Sequence, residues 1–124
     1  MIEDVQAEEF SIRVQKLNGA VVIELTGEID IPAVSHLAKA LTEATKKGRG
    51  PVILDAKDLT YIYSAGIQTL LSAHRRLTET GRALAIVGSH GIFAKLMHIT
   101  RLEHHFKMYP TIEDALADLC AAPA

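Results

Sequence analysis

The chain has 124 residues, of which 48% are hydrophobic and 23% are charged, and its formal net charge is −2. These proportions predict one globular domain of ordinary size. The slightly negative net charge gives no reason to expect nucleic-acid binding, which usually requires a clustered basic face. No apolar run approaches the roughly 20 residues needed to cross a bilayer, and the only cysteine, Cys120, excludes an internal disulfide. We therefore expect a cytoplasmic α/β domain without direct membrane insertion.

The N-terminal part predicts a leader followed by a β-hairpin. Residues 1–9 carry four acids and no base, which is typical of a flexible acidic leader, and we expect the domain to span residues 10–120. The first residues of the domain alternate between apolar and polar, as in a half-buried strand. The Asn-Gly pair at positions 18–19 separates this run from a second apolar run, Val21–Thr26. Asn-Gly between two such runs is the strongest short hairpin signal.

The middle of the chain predicts a helix, a buried strand and a long connection. Asp30 can cap the helix by accepting a hydrogen bond from a first-turn N–H, and Gly48 can end it. Pro51–Asp55 is a short apolar run closed by a charge, which predicts a buried strand. Asp55–Tyr63 then predicts an unusually structured connection to the next helix. In it we expect Leu59, Tyr61 and Ile62 to pack and Lys57 and Asp58 to face water.

The C-terminal third predicts two more strands and two more helices. Ala83–Val87 is apolar throughout, as expected for a strand that is covered on both faces. Ser89 can cap the helix that follows, and His104–Tyr109 predicts a short edge strand. Thr111 can open the last helix, with Asp114 three residues later in the position of a capping-box partner.

This order of elements predicts a mostly parallel sheet of four to five strands, with an N-terminal β-hairpin and four helices. Strand–helix–strand units of this length form right-handed crossovers between parallel strands. In such folds the loops that leave the carboxyl ends of the strands carry the site. Those loops are Gly27–Asp30, Asp55–Ser64 and Gly88–Gly91, so we expect Asp30 and Ser64 to lie at the same end of the domain.

The stretch around Ser64 is the strongest candidate site. Helical spacing of apolar residues from Ile67 predicts a helix that starts with Ser64 as its N-cap and runs to about Thr80. Ala65 and Gly66 leave its first turn almost bare. A glycine inside a helix costs up to about 1 kcal/mol relative to alanine, which suggests that another group approaches the backbone closely. An exposed hydroxyl on a bare helix N-terminus is suited to hold a phosphate.

Two segments together resemble the STAS domain of bacterial anti-sigma factor antagonists. They are Leu25-Thr26-Gly27-Glu28-Ile29-Asp30 and, about thirty residues later, Tyr61-Ile62-Tyr63-Ser64-Ala65-Gly66-Ile67. The resemblance extends over roughly residues 10–119 in element order and loop placement, and it implies a single STAS-type domain. In that family the serine-containing turn usually reads Asp-Ser-Ser-Gly-Leu-Gly. This chain differs at three positions, where Tyr63 replaces Asp, Ala65 replaces the second Ser and Gln68 replaces the second Gly.

The resemblance implies a non-enzymatic regulator that works by partner switching. The unmodified protein would bind an anti-sigma factor with serine kinase activity and free a sigma factor, and so control transcription. Phosphorylation at Ser64 would break the complex, and a serine phosphatase would reverse the mark. The implied partner-binding residues are Glu28, Asp30, Tyr63, Ser64, Ala65, Gly66 and Gln68. We expect no cofactor, no metal and no nucleic-acid partner.

Four other interpretations remain beside the phosphorylated switch. Ser64 can be a plain N-cap, worth about 1 kcal/mol. The chain can also be a non-phosphorylated STAS scaffold subunit of a signalling or membrane-transport complex. A hydrolase elbow, Gly-x-Ser-x-Gly, is disfavoured because Ile62 occupies its first glycine position. A phosphate-cradling loop is disfavoured because Ser-Ala-Gly lacks the required glycines and lysine. The histidines near position 104 lack metal-site spacing and are interpreted as solvated.

Overall fold

The computed structural model describes residues 5–6 and 10–120 of the protein. The strands are β1 (Val5–Gln6), β2 (Phe10–Leu17), β3 (Ala20–Ile29), β4 (Val52–Ile62), β5 (Leu84–Val87) and β6 (Lys107–Tyr109). The helices are α1 (Ile31–Lys47), α2 (Ser64–Glu79), α3 (Gly91–Ile99) and α4 (Ile112–Leu119), and a short 3-10 helix covers Leu102–His104.

The strands form one sheet in chain order, β1-β2-β3-β4-β5-β6. The pairs β1–β2 and β2–β3 are antiparallel, and the three remaining pairs are parallel. The predicted mostly parallel sheet with an N-terminal hairpin and four helices is thereby confirmed. Strand β1 was not predicted. The predicted acidic leader, residues 1–9, lies outside the described residues except for β1, which pairs with Ser11 and Ile12.

The hairpin between β2 and β3 turns at Asn18 and Gly19, as predicted. Both residues have positive φ, 51° and 85°, which is the backbone of a type I′ turn. Leu17 and Ala20 close the turn as register partners. The turn sets the pairing of the whole hairpin, since its length fixes which residues face each other.

Helices cover the two faces of the sheet unequally. On one face α1, α2 and α3 share the larger core, whose fully buried members include Ile23, Leu54, Ile86, Leu37, Leu70 and Phe93. On the other face α4 covers Val22, Ile53 and Val87 through Ala115. Strands covered on both faces read as continuous apolar runs, which explains why the sequence of β5 shows no alternation.

Strand β4 is longer than the sequence predicted. The prediction that the strand ends at Asp55 and that a connection follows it is wrong, because β4 continues to Ile62 and pairs with β3 there. Leu59 and Ile62 are buried as predicted, whereas Tyr61 is 36% exposed. Its last partners are Glu28 opposite Tyr61 and Ile29 opposite Ile62. Strand β5 pairs only with the first four residues of β4, Val52–Asp55. The ends of β3 and β4 therefore project beyond the rest of the sheet, and the candidate site lies at their tips.

Three predicted helix ends are confirmed. Asp30 caps α1 by accepting a hydrogen bond from Ala33 N at 3.1 Å. Thr111 caps α4 by accepting from Asp114 N at 3.1 Å. After α2, Gly81 has a φ of 74°. The backbone N–H groups of Gly81 and Arg82 return to the carbonyls of Thr78 and Leu77 at 3.1 and 2.8 Å, a Schellman motif.

Two predictions about the C-terminal third are wrong in detail. The N-cap of α3 is His90 and not Ser89, because the helix begins one residue later, at Gly91. The predicted strand His104–Tyr109 is shortened to its last three residues, since the 3-10 helix takes up its beginning.

Candidate functional site

The candidate site is built where β3 and β4 end side by side. Ile29 and Ile62 are register partners at the ends of these parallel strands. Beyond them, Tyr63 donates its backbone N–H to the carbonyl oxygen of Ile29 at 3.0 Å. Asp30 and Ser64 are the residues that follow each strand into its helix. The expectation that they share one end of the domain is therefore confirmed.

Ser64 is the first residue of α2, and the prediction that it is the N-cap is wrong. The N-cap is Tyr63, whose φ of −76° and ψ of 159° are extended. The carbonyl oxygen of Tyr63 accepts hydrogen bonds from Gly66 N at 2.8 Å and Ile67 N at 3.2 Å. The β3–β4 pairing keeps Tyr63 extended, so the helix can start only at the next residue.

The hydroxyl of Ser64 is exposed and is not used by the fold. Within the described part of the chain it has no hydrogen-bond partner. A cap hydroxyl is held by a first-turn N–H, whereas this one can turn toward solvent. The position combines an accessible nucleophilic oxygen with the positive end of a helix dipole, which tolerates an added anion.

Gly66 faces inward, which corrects the predicted explanation for a glycine at this position, namely the close approach of another group to the backbone. Gly66 is buried, and a Cβ placed on it would lie 2.6 Å from Ile62 Cγ1 and 2.8 Å from Ile62 Cδ1. The group that approaches this glycine closely is therefore a core side chain of the same protein. Gly66 cannot offer a side-chain contact to a partner, although it allows α2 to pack against the end of β4.

The outward face of the first turns of α2 carries no large apolar side chain. Ser64, Ala65 and Gln68 are exposed there, and Thr69 donates its hydroxyl to the carbonyl oxygen of Ala65 at 2.8 Å. These three residues were predicted to contact a partner, and the helix places them on one surface. The side chains of Ser64 and Ala65 are small, so they add little bulk beside the Ser64 hydroxyl.

Two tyrosines border Ser64 on the strand side. Tyr61 and Tyr63 pack edge to face, with ring centroids 5.3 Å apart and an interplanar angle of 84°. Their exposed fractions are 36% and 40%. Edge-to-face packing is a preferred aromatic arrangement, so the pair presents a defined apolar surface next to the serine.

The acidic residues predicted at the site differ in what they do. Asp30 is half-buried and is committed to capping α1. Glu28 is exposed and lies opposite Tyr61 in the register. The surface beside Ser64 therefore carries carboxylates. Within residues 5–6 and 10–120, no group of three or more His, Cys, Asp or Glu side chains could hold a metal ion.

The sequence did not single out Ile31 or Tyr61 as surface residues of this end. Ile31 is 64% exposed at the start of α1, directly after Asp30. The helical pattern of the sequence already indicated that Ile31 is exposed, because the buried stripe of α1 runs through Ala33, Leu37 and Ala40 and leaves position 31 outside it. Tyr61 enlarges the apolar area next to Ser64 through its contact with Tyr63, and Ile31 adds an exposed apolar side chain at the start of α1.

None of the helices in the described part of the chain is long and apolar enough to cross a membrane. Cys120 is a free cysteine, half-buried at the end of α4.

Comparison with known proteins identifies the fold. The model of the STAS domain family matches residues 11–115. The anti-sigma-F factor antagonist RsfB of Mycobacterium tuberculosis is 21% identical over 109 residues, which cover 88% of each chain. An anti-sigma factor antagonist from Mycobacterium paratuberculosis superposes with a TM-score of 0.78 at 24% identity, covering 93% of this chain and 98% of that one. The Bacillus cell fate determinant SpoIIAA in its phosphorylated form superposes with a TM-score of 0.69 at 21% identity, covering 86% and 97%. At these identities the solved structures show a shared fold.

Proposed function

Because the chain belongs to the STAS domain family, we propose that it is an anti-sigma factor antagonist that phosphorylation of Ser64 switches off. Its partners would be an anti-sigma factor with serine kinase activity and a serine phosphatase, and it would act in the cytoplasm without enzymatic activity of its own. The relative RsfB carries the name of an anti-sigma-F factor antagonist. The observation that carries the proposal is the exposed, unengaged hydroxyl of Ser64 at the first position of α2.

The docking surface that we propose surrounds this hydroxyl. We define it as Glu28, Asp30, Ile31, Tyr61, Tyr63, Ser64, Ala65 and Gln68. Gly66 is left out because it is buried under Ile62. The surface joins two exposed tyrosine rings to the outward face of the first turns of α2, and aromatic residues are enriched where proteins bind each other.

The phosphoryl transfer needs little from this chain. The Ser64 Oγ would attack the γ-phosphorus of ATP, the bond to the leaving ADP would break, and the hydroxyl proton would pass to a base of the kinase. Since the hydroxyl has no partner in the described part of the chain, no hydrogen bond of the fold has to break first. The chain contributes a Ser64 hydroxyl that the kinase can reach.

The phosphate would act on the interface more than on the fold. It adds about −1.5 to −2 charges and three acceptor oxygens. The N-terminus of α2 tolerates that charge, but a partner packed flat over Ala65 would have to accommodate the bulk and bury an unpaired charge. A local penalty of this kind is sufficient to separate the two proteins.

The central experiment is phosphorylation by the anti-sigma factor kinase of the same cell, followed by intact-mass measurement. The wild-type chain should gain one phosphate with ATP, and Ser64→Ala should gain none. Ser72→Ala is the matched control, because Ser72 is exposed on the same helix two turns away, and it should still be modified. If a kinase that is active on another substrate leaves the wild-type mass unchanged, the phosphorylated switch is wrong.

A binding experiment separates the switch from a structural role of Ser64. Ser64→Asp should weaken binding to the same kinase at least tenfold, which corresponds to about 1.4 kcal/mol. Its melting temperature should remain close to that of the wild type, and Ser72→Asp should bind normally. An unfolded Ser64→Asp variant would mean that the serine is structural.

A non-phosphorylated scaffold subunit is the second candidate, and Tyr63 favours it. In the phosphorylated members that the sequence resembles, an acid stands at this position, whereas here an aromatic ring borders the serine. Tyr63→Asp tests this directly. If the wild type binds the kinase without being modified and Tyr63→Asp is modified, the ring blocks phosphorylation and the scaffold function is the correct one.

A further inference from the structure

The ends of β3 and β4 have a face that none of the described helices covers. Ile29, Leu59 and Ile62 point into the core that α1, α2 and α3 share. On the opposite face, α4 covers only earlier positions of the two strands, such as Val22 and Ile53. Five exposed residues beyond that point form a surface that we call the outer tip: Thr26, Glu28, Asp58, Tyr61 and Tyr63.

Strand geometry places the side chains of the outer tip together. Successive side chains of a strand point to opposite faces, so Thr26 and Glu28 both point away from the shared core. Asp58 is the register partner of Thr26, and Tyr61 is that of Glu28. Partners in adjacent strands share a face, and Tyr63 joins them because its ring packs on Tyr61. The outer tip is therefore one continuous surface.

The two tyrosines are the apolar part of the outer tip. Their rings pack edge to face, with centroids 5.3 Å apart, so each ring restricts the other. Both residues nevertheless remain more than a third exposed. Tyrosine offers a large, rigid contact area at a low cost in conformational entropy. Tyr61 and Tyr63 therefore present a preformed aromatic surface to a partner.

The charged groups of the outer tip are both acids. They are the side chains of Glu28 and Asp58, which are exposed. Among the ion pairs within 4.0 Å in the described part of the chain, none involves either carboxylate. A partner that covers the tyrosine rings would lie beside these two negative charges.

The cations of the adjoining strand positions face other acids. The Nζ of Lys57 lies 3.8 Å from the Oδ2 of the buried Asp55. Arg13 is the register partner of Glu24 on β3. These two basic residues thus have acids of their own. The outer tip itself combines two carboxylates, two aromatic rings and no cation, which favours a positively charged group of a partner.

We propose that the outer tip binds an arginine side chain of the anti-sigma factor partner. The guanidinium lies against the rings of Tyr61 and Tyr63, and its N–H groups donate to Glu28. The inference rests on the proposed function, since it names one contact by which that partner is recognised. A guanidinium stacks on an aromatic face and donates to a carboxylate from the same planar group. An apolar side chain would instead desolvate the carboxylates without pairing them.

The arginine contact is separate from the phosphorylated position. The outer tip faces away from the core beneath α2, whereas Ser64 begins that helix and has Ala65 and Gln68 beside it. The phosphate would act on the part of the partner that covers Ala65. Ser64→Asp should therefore bind an arginine probe at least as well as the wild type, although it binds the kinase more weakly.

The first test titrates the full chain with acetyl-tetra-arginine amide at low ionic strength and follows the tyrosine ring signals by NMR. The signals of Tyr61 and Tyr63 should shift saturably. Tyr109, the third tyrosine of the chain, is an internal control, because it lies on β6 and donates its hydroxyl to Asp118. Tetra-lysine should bind at least about threefold more weakly, since an ammonium has no planar group to stack. The proposal is overturned if the two peptides bind alike or if no saturable shift occurs.

Matched variants locate the peptide on the outer tip. Glu28→Gln combined with Asp58→Asn should weaken tetra-arginine binding at least about fivefold. Glu79→Gln combined with Glu113→Gln is the control, because it removes two exposed charges elsewhere, and it should have a smaller effect. Tyr61→Leu should weaken binding, and Tyr61→Phe should restore it, because the ring is what the guanidinium contacts. Equal effects of the two acid pairs, or normal binding by Tyr61→Leu, would contradict the proposal.

Binding to the anti-sigma factor kinase of the same cell separates this inference from the proposed function. Glu28→Arg should weaken the affinity for the kinase at least tenfold. If the kinase binds and phosphorylates the wild type, and binds Glu28→Arg equally well, the arginine contact is wrong and the proposed function stands. If the kinase neither binds nor modifies the wild type, the proposed function fails, and the peptide titration still decides whether the outer tip recognises arginine.

Discussion

The side chain of Ile62 fills the space that a Cβ on Gly66 would need. The last core residue of β4 and the third residue of α2 are in direct contact, with a Cβ on Gly66 calculated to lie 2.6 Å from Ile62 Cγ1. Ile62 is only 1% exposed, so it has no free space to move into. This contact fixes how α2 leaves the sheet and therefore where Ser64 is presented.

Gly66→Ala should destabilise the protein despite the better helix propensity of alanine. The propensity gain is up to about 1 kcal/mol, whereas overpacking a core typically costs about 1–3 kcal/mol. We expect a net loss of about 1 kcal/mol in the free energy of unfolding, measured by urea denaturation. In an Ile62→Ala background the clash is gone, so the same Gly66→Ala change should become stabilising. A loss of equal size in both backgrounds would contradict the Ile62 contact.

Ser64→Ala and Asp30→Ala should differ in their effect on stability. Asp30 accepts a hydrogen bond from Ala33 N, and losing such a cap costs about 0.5–2 kcal/mol. Ser64 makes no cap bond, since Tyr63 occupies the N-cap position, so its replacement should change stability by less than about 0.5 kcal/mol. Denaturation of the two variants side by side decides this. If Ser64→Ala costs as much as Asp30→Ala, the hydroxyl is a structural cap after all.

The parts of the fold that local chemistry determines were predictable. Asn18-Gly19 specified a turn because few other residue pairs adopt two positive φ angles. Asp30 and Thr111 specified helix starts, and Gly81 specified a helix end, because each satisfies backbone groups within a few residues. The same local logic placed Asp30 and Ser64 at one end of the sheet.

The parts that depend on distant partners were not predictable. Lys57, Asp58 and Thr60 are exposed polar residues that read as a loop, yet β4 runs through them because β3 pairs alongside. That extension makes Tyr63 the N-cap and moves Ser64 one position into the helix. For the same reason Gly66 suggested a partner from outside, whereas the approaching group is Ile62. Tertiary pairing overrode the local pattern in each case.

The role of Arg82 was also not predicted from the sequence. Its hydrogen bonds indicate that replacing it should have a large effect on stability. Its side chain donates to three carbonyl oxygens: Nε to Gly50 at 2.8 Å, Nη1 to Thr45 at 2.7 Å and Nη2 to Ala44 at 3.1 Å. Two of these carbonyls belong to the last turns of α1, so one guanidinium joins the end of that helix to the loop before β4. Arg82→Ala should cost about 2–4 kcal/mol, since charged hydrogen bonds contribute about 1.5–3 kcal/mol each and are not additive.

Arg82→Lys should recover little of that loss, because an ammonium cannot reproduce the planar fork of donors. Arg76→Ala is the control, as Arg76 is exposed, and its effect should stay within about 0.5 kcal/mol. Urea denaturation of the three variants measures the differences. A lysine variant as stable as the wild type would show that charge alone is sufficient at the end of α1.

His74 should make the protein less stable as the pH falls below neutral. Burial lowers the pKa of His74 below its ordinary value of 6.5 in the folded state. Between the lowered folded pKa and 6.5, His74 binds a proton in the unfolded chain but not in the native state. The free energy of unfolding therefore decreases as the pH falls through this window. At pH values above the window both states are neutral, and the effect is absent.

His74→Phe keeps the aromatic contact with Phe106 but cannot take up a proton, so its melting temperature should fall less than that of the wild type between about pH 7.5 and pH 5.5. His104→Gln is the control, because His104 is well exposed, and it should retain the wild-type slope. Parallel curves for the wild type and His74→Phe would mean that His74 accepts its proton as readily in the folded protein as in the unfolded chain.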